Sequence, residues 1–543
     1  MSSMKRADIR HQLSEIIAEA ITATFKLELS HQPEVTYAQA GFGDFATNAP
    51  FQLAKELGKA PKAIAEKLAA AIGHSDIKTA EAAGAGYINL TMTEAYWTKQ
   101  LAAIDGDFLK STQGKGQKVQ VEFISANPTG PLTLANARGG FLGDVLSNVL
   151  AAIGYEVTRE YYVNDGGVQV GKLVDSLKAE VGLSIEGERQ YAGDYVAELA
   201  TKVDPRQYDD EAKLSGDAIE TLLAEIKRVV GELGITFDEW TSERELVESG
   251  ATSAVIEALR AKDLVYKKDD AEWLASSNFG DERDRVLIKA DGAYTYLVND
   301  LAYHLAIFSQ RGFARALKLW GADHAGQVAS LSLTIKQLVP EAQLDFVLMQ
   351  FVRLIRDGQE VKMSKRAGSY VTVEELLAAI EEGVGKRYAA SVARFFFLMR
   401  SSDNRIDFDL GLASEQSQQN PYFYVMYAYA RAHSIIAKAK ERELEPAAAT
   451  DTLSSDELGL VRLMGRLPDL VGDVAEDFEA HRLIFFGLEV AKAFQEYYEG
   501  TRIIDLEATE AVKKLYFVQQ FITFMDLYWA LLGIEAVERL TED

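Results

Sequence analysis

The sequence predicts a multidomain α/β protein with a parallel sheet at its centre and a helical bundle at its C-terminus. From Val119 onward, strand patterns alternate with helical patterns, which is the arrangement expected for βαβ units. From about residue 385 to the end, nearly every segment has the spacing of an amphipathic helix. The chain has 543 residues, which is more than one hydrophobic core usually organises, so about three or four domains are expected.

The N-terminal part, residues 1–113, is predicted to be a separate, helix-rich unit. It ends in the stretch AGAGYINLTM, a short strand pattern that follows glycines. The polar stretch STQGKGQK then provides a linker, and we place the domain boundary near residue 114.

Residues 114–384 carry the alternating pattern. The predicted strands and helix are Val119–Ile124, Phe141–Ile153 and the stretches YEVTREYYV, ARALKLW and LDFVLMQFV. Between about residues 175 and 265 the pattern is helical and acidic, which predicts an insertion into the sheet domain. Residues 385–543 form the predicted bundle, in which the longest amphipathic stretches are NPYFYVMYAYARAHSIIAKA and HRLIFFGLEVAKAFQEYYEG.

The composition excludes several classes of protein. The chain has no cysteine, so disulfides, thiolate catalysis and cysteine-built zinc sites are excluded. It has neither a window of about 20 apolar residues nor an apolar signal core at its start, so we expect a cytoplasmic protein with no membrane partner. A net charge of -25 argues against a polyanionic partner on average, but lysine clusters such as KMSKR provide local phosphate contacts.

The turn after the first sheet strand has the features of a phosphate site. The stretch SANPTGP follows Val119–Ile124, and Pro131 suits the first turn of a helix that starts at about Leu132. A helix start exposes free backbone N–H groups and the positive end of the dipole, and Gly130 lets the backbone come close to a ligand. The stretch matches neither the Walker A pattern nor G-x-G-x-x-G, so an ordinary strand-to-helix connection remains an alternative.

A second phosphate-type motif, VKMSKRAG, follows the last predicted strand of the sheet. It comes after IRDGQE, which is typical of a hairpin tip, and it places Ser364 between Lys362 and Lys365. A lysine is a compact point charge, suited to a pyrophosphate whose negative charge grows in the transition state. A basic loop alone is a weak signal. Its position about 230 residues after a phosphate-type helix start on the same sheet favours a polyphosphate site.

Stretches along nearly the whole chain, taken in order, point to one family. They are GFGDFATNAPFQLAKELGKAP, GAGYINL, VEFISANPTGPL, REYYVNDGG, FDEWTSE, TYLVNDLAYHL, WGADH, VKMSKRAG, RFFFLMRS and DFDLGLASEQSQQNP. In these stretches the chain resembles a class I aminoacyl-tRNA synthetase and, more narrowly, the arginyl-tRNA synthetase family. The resemblance implies an α/β Rossmann-type catalytic domain with an inserted subdomain, an N-terminal α+β add-on domain that contacts tRNA, and a C-terminal all-α anticodon-binding bundle.

The resemblance also implies the reaction and the partners. L-Arginine and ATP would give arginyl-adenylate and pyrophosphate, and the arginyl group would then pass to arginine tRNA for protein biosynthesis. ATP would enter as its Mg²⁺ complex, with no zinc and no dedicated protein cage for a metal. The family's usual form is a monomer. Within the predicted bundle, Tyr422, Tyr424 and Tyr427 are candidates to stack on unpaired anticodon bases, although their helical spacing favours core packing for at least one of them.

A pocket selective for arginine should hold carboxylates and neutral acceptors, because a guanidinium offers five donors in a planar fork. The family's pattern places Glu243, Tyr296 and Asp300 at such a pocket. Asn127, beside the phosphate-type turn, would hold the amino or carboxylate end of the substrate. Apart from the resemblance, Tyr296 and Asp300 are also compatible with a core tyrosine and a solvated helix cap.

The resemblance assigns a second group of residues to ATP. These residues are Gly130, Ala135, Gly321, Asp323, His324 and Met363. Gly321 to His324 form the stretch GADH, which follows another predicted sheet strand and would border the adenosine. His324 considered alone is more typical of a structural histidine.

The catalytic signature departs from the pattern of the class. Class I synthetases carry H-x-G-H at the helix start, whereas Thr133, Leu134, Ala135 and Asn136 occupy these positions here. A threonine hydroxyl and an asparagine amide are also hydrogen-bond donors, so they can stabilise developing negative charge without an imidazole. We therefore interpret Thr133 and Asn136 as working substitutes, together with the catalytic Lys362, Ser364 and Lys365 of the second motif.

Two other functions are compatible with parts of the sequence. A catalytically silent synthetase paralogue that binds tRNA would explain the altered signature. A small-molecule nucleotidyltransferase would explain the sheet, but it would leave the N-terminal unit and the C-terminal bundle without a role.

Overall fold

A computed structural model of the chain describes residues 9–39, 41–185, 187–361, 371–448 and 453–540. The N-terminal part contains α1 (Ile9–Phe25), β1 (Val35–Tyr37), β2 (Phe45–Thr47), α2 (Ala49–Leu57), α3 (Pro61–Ala69), β3 (Ile77–Ala83), β4 (Tyr87–Met92) and α4 (Glu94–Ala102). Its strands form an antiparallel sheet in the order β1-β2-β4-β3. The strand predicted after AGAG is β4, so the N-terminal part is α+β, as expected.

The middle of the chain contains β5 (Lys118–Glu122), α5 (Leu134–Ala152), β6 (Glu156–Val163), α6 (Gly167–Glu180), α7 (Asp194–Lys202), α8 (Glu211–Glu232), β7 (Glu239–Ser242), α9 (Glu243–Glu248), α10 (Ala251–Arg260), β8 (Val265–Lys268), β9 (Ala271–Leu274), β10 (Arg285–Ile288), α11 (Tyr296–Leu305), β11 (Arg315–Gly321), α12 (Ala325–Leu338), β12 (Gln343–Met349), β13 (Val352–Arg356), β14 (Gln359–Glu360) and α13 (Val373–Val384). Five of these strands form a parallel sheet in the order β12-β11-β5-β6-β7. The predicted parallel α/β sheet is confirmed.

One face of this parallel sheet is apolar and packs against α5. Val119 and Val121 of β5 are fully buried on this face. A Cβ added at Gly143 of α5 would lie 2.2 Å from the ring of Phe123, so only glycine lets the helix approach the sheet so closely. This approach fixes the start of α5 beside the carboxyl ends of the strands, where parallel sheets bind ligands.

Two details of the middle region differ from the sequence predictions. The helix after the phosphate-type turn begins at Leu134 and not at about Leu132, because Thr133 has extended φ and ψ angles of -101° and 172° and caps the helix. Pro131 therefore precedes the helix. The segment at about 175–265, predicted as one insertion, also contains β7, which pairs with β6 in the parallel sheet. The polar sequence EWTS of β7 hides this strand from pattern analysis.

The C-terminal part contains α14 (Lys386–Leu398), β15 (Ile406–Asp409), α15 (Leu410–Ala413), α16 (Pro421–Glu441), α17 (Ser455–Met464), α18 (Leu467–Asp477), α19 (His481–Gly500) and α20 (Ala508–Leu531). The helical prediction is confirmed, with the addition of β15, which pairs in parallel with β13. Tyr422 is fully buried, 6.0 Å from the ring of Trp529, whereas Tyr424 and Tyr427 are half-buried. Tyr422 is thus a core residue and not a candidate for base stacking.

The parallel sheet and the C-terminal helices share one hydrophobic core. Arg394 of α14 is buried at their junction and donates hydrogen bonds to Asp144 of α5 at 2.6 Å and to the carbonyl oxygens of Leu532 at 2.9 Å and Leu233 at 3.0 Å. Among the helices that the structure describes, none has the length and apolar character needed to cross a membrane.

Candidate active site

The start of α5 is a hydrogen-bonded unit of two side chains. The Thr133 hydroxyl donates to Oδ1 of Asn136 at 2.9 Å, and the Thr133 backbone N–H donates to the same oxygen at 2.8 Å. The amide oxygen of Asn136 is therefore used within the helix cap, and its Nδ2 group is left as the side-chain donor of this turn. The chain turns sharply from β5 into this region because Ile124 and Ser125 have positive φ angles of 64° and 39°.

The chain that follows the second phosphate-type motif contacts the same helix start. Thr372 pairs with Thr133 in an isolated antiparallel bridge, and the N–H of Val373 donates to the carbonyl oxygen of Leu132 at 2.9 Å. Thr372 also caps α13, where it forms a capping box with Glu375. Residues 372 and 373, which follow the motif in the chain, thus contact the segment that begins α5.

The other end of this motif leaves from the predicted hairpin. Strands β13 and β14 pair in antiparallel fashion around Asp357 and Gly358, whose φ angles are 53° and 73°. Two consecutive residues with positive φ match a type I′ turn. The four predicted motif residues, Lys362, Met363, Ser364 and Lys365, lie outside the described residues.

A row of three buried charged residues crosses the polar face of the parallel sheet. Lys318 of β11 pairs in register with Glu122 of β5, which pairs in register with Glu160 of β6. The Nζ of Lys318 lies 2.7 Å from Oε2 of Glu122. Glu160 accepts hydrogen bonds from Arg311 and from the hydroxyl of Tyr303, both at 2.9 Å. We call Lys318, Glu122 and Glu160 the polar row.

At the Glu160 end of the polar row, the carboxylate is stabilised in its charged form. Burial alone would raise the pKa of Glu160, but the hydrogen bond from Arg311 and the charge of Lys318 together lower it. Burial and the nearby Lys318 lower the pKa of His304 well below its ordinary value, so this ring is neutral. Its Nδ1–H donates to the backbone carbonyl of Asp300 at 2.6 Å.

Two carboxylates from different elements lie near each other, and one of them, Asp300, lies near Glu122 and Lys318 of the polar row. Burial, followed by the nearby charges of Glu122 and Glu243, raises the pKa of Asp300 of α11 to about 7. Burial also raises the pKa of Glu243, the first residue of α9, although a 2.6 Å hydrogen bond from Asn299 to its Oε1 partly offsets this effect. Among the described residues, Oε2 of Glu243 has no hydrogen-bond partner although it is buried. Carboxylates in this condition are prepared to receive a cation.

The hydroxyl of Tyr162 faces the same space. It is buried and has no hydrogen-bond partner among the described residues, and its electrostatic neighbours include the carboxylates of Glu243, Asp300 and Glu122. Burial and these charges raise the pKa of Tyr162, so the phenol stays protonated. A buried hydroxyl without a partner costs stability, so this hydroxyl is available to a ligand.

The structure brings only some of the residues predicted to bind arginine to this space. Glu243 and Asp300 are electrostatic neighbours. Tyr296 lies at the first position of α11, one turn before Asp300, and its side chain is 67% exposed. Asn127 is exposed in the loop after β5. Neither residue is buried with Glu243, so the predicted roles of Tyr296 and Asn127 stay predictions.

The residues predicted to bind ATP lie at the carboxyl ends of the neighbouring strands. Ala135 is exposed on the first turn of α5, and Gly130 lies in the turn before it. Gly321 ends β11, where an added Cβ would lie 2.4 Å from Oδ1 of Asp323. Asp323 and His324 are exposed, and the His324 ring lies 5.7 Å from that of Trp320. The exposed residues after the carboxyl ends of β5 and β11 are compatible with a nucleotide that lies across these two strand ends.

Sequence reasoning missed three residues of this site: Glu122, Lys318 and Tyr162. The available signal was one charge of each sign inside two otherwise apolar strands, VQVEFI and ARALKLW. A charged residue in a buried strand needs a partner, but which strands are neighbours is decided by the sheet order. Among the described residues, no cluster of His, Cys, Asp or Glu side chains is arranged to hold a metal ion.

The parallel sheet in the order β12-β11-β5-β6-β7, with a helix start after β5 and the carboxylates of Asp300 and Glu243 near each other, has the architecture of a class I aminoacyl-tRNA synthetase. Residues 99–389 match the family model "tRNA synthetases class I (R), catalytic domain". Residues 11–92 match "Arginyl tRNA synthetase N terminal domain", and residues 425–540 match "DALR anticodon binding domain". The chain belongs to the arginyl-tRNA synthetase family.

Full-length relatives agree with these domain matches. The chain is 40% identical to a protein named arginine–tRNA ligase from Citrifermentans bemidjiense, over 93% of this chain and 94% of that protein. It is 37% identical to an arginine–tRNA ligase from Geobacillus thermodenitrificans, over 98% of this chain and 99% of that protein. The solved Thermus thermophilus arginyl-tRNA synthetase has the same fold, with a TM-score of 0.80 over 98% of this chain and 100% of that chain, at 20% identity.

Proposed function

We propose that the chain ligates L-arginine to arginine tRNA, using ATP as its Mg²⁺ complex and an arginyl-adenylate intermediate. The prediction of an arginine–tRNA ligase is confirmed at the level of the family, since the curated relatives at high coverage carry this name. Their names favour the ligase over the catalytically silent paralogue. Domain limits at residues 1–113, 114–384 and 385–543, a monomeric state and a cytoplasmic location belong to the same proposal.

One observation carries the choice of amino acid. Asp300 and Glu243 converge above a sheet face whose other buried charges are already paired. A guanidinium supplies donors at the spacing of two carboxylates, and its charge would lower the raised pKa values of both. The Tyr162 hydroxyl gives such a ligand a further neutral acceptor. An apolar or anionic side chain would leave these groups buried and unpartnered.

The adenylation step follows from the position of the helix start. A carboxylate oxygen of arginine attacks the α-phosphorus of ATP, the bond from this phosphorus to the α,β-bridging oxygen breaks, and pyrophosphate leaves with that oxygen. The backbone N–H groups at the start of α5 and Nδ2 of Asn136 donate to the phosphate oxygens as negative charge develops. Lys362 and Lys365, on the segment outside the described residues, stabilise the departing pyrophosphate. Mg²⁺ neutralises the phosphates when it is bound with ATP.

In the transfer step, a ribose hydroxyl of the terminal adenosine of tRNA attacks the carbonyl carbon of the adenylate, and AMP leaves. The hydroxyl proton goes to the departing phosphate or to water. The family model "DALR anticodon binding domain" supports a tRNA contact by the C-terminal part, and a tRNA contact by the N-terminal part belongs to the same proposal.

The test is arginine-dependent exchange of labelled pyrophosphate into ATP, with arginine tRNA present. We expect exchange with arginine and almost none with lysine, whose ammonium does not fill a fork-shaped set of acceptors. Absence of exchange by the folded protein under these conditions would refute the ligase and favour a silent paralogue. Omitting tRNA is a separate arm, because a requirement for tRNA in activation is compatible with the proposal.

A further inference from the structure

The buried pair of Lys318 and Glu122 lies near Asp300, one of the two carboxylates proposed to bind arginine. Lys318 has no exposed surface, and its Nζ lies 2.7 Å from Oε2 of Glu122 and 4.3 Å from the centre of the Tyr303 ring. Both charged residues are among the electrostatic neighbours of Asp300. A buried ion pair between adjacent strands rarely improves stability over apolar residues of similar volume, so its position suggests another role.

The charges around the pocket divide into paired and unpaired carboxylates. Glu160 is paired with Arg311 at 2.8 Å, and Glu122 is paired with Lys318. Asp165 accepts hydrogen bonds from the Ser242 hydroxyl at 2.7 Å and from the backbone N–H of Arg244 at 3.0 Å.

Two carboxylates remain after these pairs are assigned. Among the described residues, neither Asp300 nor Glu243 forms an ion pair. Glu243 accepts one hydrogen bond, from the neutral amide of Asn299. The pocket thus offers two carboxylates to a ligand. The third nearby carboxylate, Glu122, is not available because it is ion-paired with Lys318.

We infer that Lys318 is a specificity-determining residue, which neutralises Glu122 so that the pocket presents only Asp300 and Glu243 to the substrate guanidinium. This inference rests on the proposed function. Lys318 does not contact the substrate; it acts through Glu122. Without the lysine, a buried Glu122 and Asp300 would compete for a proton, as two close carboxylates do. A protonated carboxyl can donate a hydrogen bond to the oxygen of a neutral urea, so the pocket could then bind a urea in place of a guanidinium.

The two residues of the pair make opposite predictions, which separates this role from a structural one. Removing the lysine leaves an extra negative charge, which should move the titration of Asp300 upward. Removing the glutamate charge leaves an extra positive charge, which should move it downward and repel the guanidinium. The groups that interact electrostatically with the Asp300 carboxyl are Glu122, Glu243, Lys318 and Tyr162. The neighbours of Glu122 and Lys318 include Glu160, Tyr303 and His304, and Arg311 pairs with Glu160.

The experiment measures the KM for arginine against pH, from about pH 5.5 to 9, in the pyrophosphate exchange assay with tRNA present. In Lys318→Met we expect the midpoint to move upward by about 1 to 3 pH units, the usual effect of a charge at close range. In Glu122→Gln we expect it to move downward, with a higher KM at every pH. The double variant Glu122→Gln/Lys318→Met, in which both charges are absent, should return the midpoint to near the wild-type value.

A second readout tests specificity directly. Citrulline is the neutral urea isostere of arginine, and Lys318→Met should bind it more tightly, so that discrimination against citrulline as a competitive inhibitor falls by about tenfold or more. The matched control is Arg315→Met, which removes another buried cation of β11, paired with Asp345 at 2.7 Å. The control should change neither the midpoint nor the discrimination.

Thermal melting of each variant shows whether it is folded. If Lys318→Met fails to fold, Glu122→Gln and the double variant still decide the question through the sign of their shifts. Shifts of equal sign in Lys318→Met and Glu122→Gln, or no shift in either, would overturn the inference while wild-type exchange upheld the ligase. Absence of exchange in the wild type would instead refute the proposed function.

Discussion

The hydroxyl of Thr133 donates a hydrogen bond to the amide oxygen of Asn136 at 2.9 Å, so the two residues that replace the histidines of the class signature act as one unit. The threonine proton is used inside the cap. Asn136 is thus the residue that can donate to a phosphate, and Thr133 orients its amide.

This relationship predicts different losses at the two positions. Asn136→Ala removes the side-chain donor, and we expect kcat for adenylate formation to fall by about 10- to 1000-fold. Thr133→Val removes only the group that orients it and should cost less or about as much, whereas Thr133→Ser keeps the hydroxyl and should behave like the wild type. The measurement is tRNA-dependent pyrophosphate exchange. Full activity in both Asn136→Ala and Thr133→Val would mean that only backbone donors and the dipole act here.

Restoring the class signature should not improve the enzyme. Thr133→His with Asn136→His enlarges two side chains at a turn where Thr133 is tied to Thr372. Overpacking of this bridge should offset any electrostatic gain, so we expect kcat at or below the wild-type value. A clear rise in kcat would show that the present pair is a compromise and not a fitted substitute.

Arginine binding should weaken at low pH. Because the pKa of Asp300 is raised to about 7, this carboxyl is largely protonated below pH 7 and must lose a proton to bind a guanidinium. The KM for arginine should therefore fall about tenfold from pH 6 to pH 8. In Asp300→Asn the KM should be high and flat across this range. A wild-type KM for arginine that does not depend on pH would contradict the role of Asp300.

The same shift predicts an effect on stability without substrate. A carboxyl whose pKa is raised by folding favours the folded state while it is protonated, and this contribution is lost as pH rises through about 7. Asp300→Asn should thus raise the Tm of the free enzyme at pH 8. It should also abolish the rise in Tm that arginine produces, which thermal melting with and without arginine measures.

Glu243 should carry a large share of the binding energy of arginine. Glu243→Ala leaves a guanidinium donor unpaired in a desolvated site, and it should cost about 2 to 4 kcal/mol in kcat/KM for arginine. Glu245→Ala is the matched control, because this glutamate is exposed on the same short helix. If the two variants had equal kinetics, the assignment of Glu243 to the pocket would be wrong.

The lysine motif should act mainly in the transition state. Lys365→Ala should lower kcat for adenylate formation far more than it raises the KM for arginine, because the charge that Lys365 meets develops as pyrophosphate leaves. Lys336→Ala, on the exposed side of α12, is the control. Equal effects of Lys365→Ala on kcat and on KM would indicate a general binding role.

The three tyrosines of α16 should separate tRNA binding from stability. Tyr422→Ala should lower the free energy of unfolding by about 3 to 5 kcal/mol, as removal of a buried aromatic ring does. Tyr424→Ala or Tyr427→Ala should weaken tRNA binding by about 1 to 3 kcal/mol for each base that is stacked. Filter binding at a fixed salt concentration measures the second effect. Unchanged tRNA affinity in both variants would place the anticodon contacts elsewhere on the bundle.

Much of the architecture could be predicted from local patterns. The apolar alternation of VQVEFI and YEVTREYYV fixes two strands of the parallel sheet, and the Asp-Gly pair of IRDGQE fixes a hairpin turn. The spacing of Tyr296 and Asp300 places them on one helix face, but Tyr296 is exposed, whereas Asp300 is half-buried near Glu122 and Glu243. Which end of a helix is buried depends on the elements packed against it, and these come from distant parts of the chain.

The sequence by itself determined the family, the order of the domains and the residue types available for the chemistry, because these depend on motifs and on periodicity along the chain. Tertiary structure alone decided that Lys318 pairs with Glu122, that Thr133 pairs with Thr372, and that Tyr162 turns an unpartnered hydroxyl toward Asp300. Lys318 and Glu122 meet because parallel strands remote in sequence become neighbours in register, whereas Thr133 and Thr372 meet in an antiparallel bridge between the starts of two helices. A buried charge is tolerated only where such a neighbour exists, and local sequence carries no record of which neighbour that is.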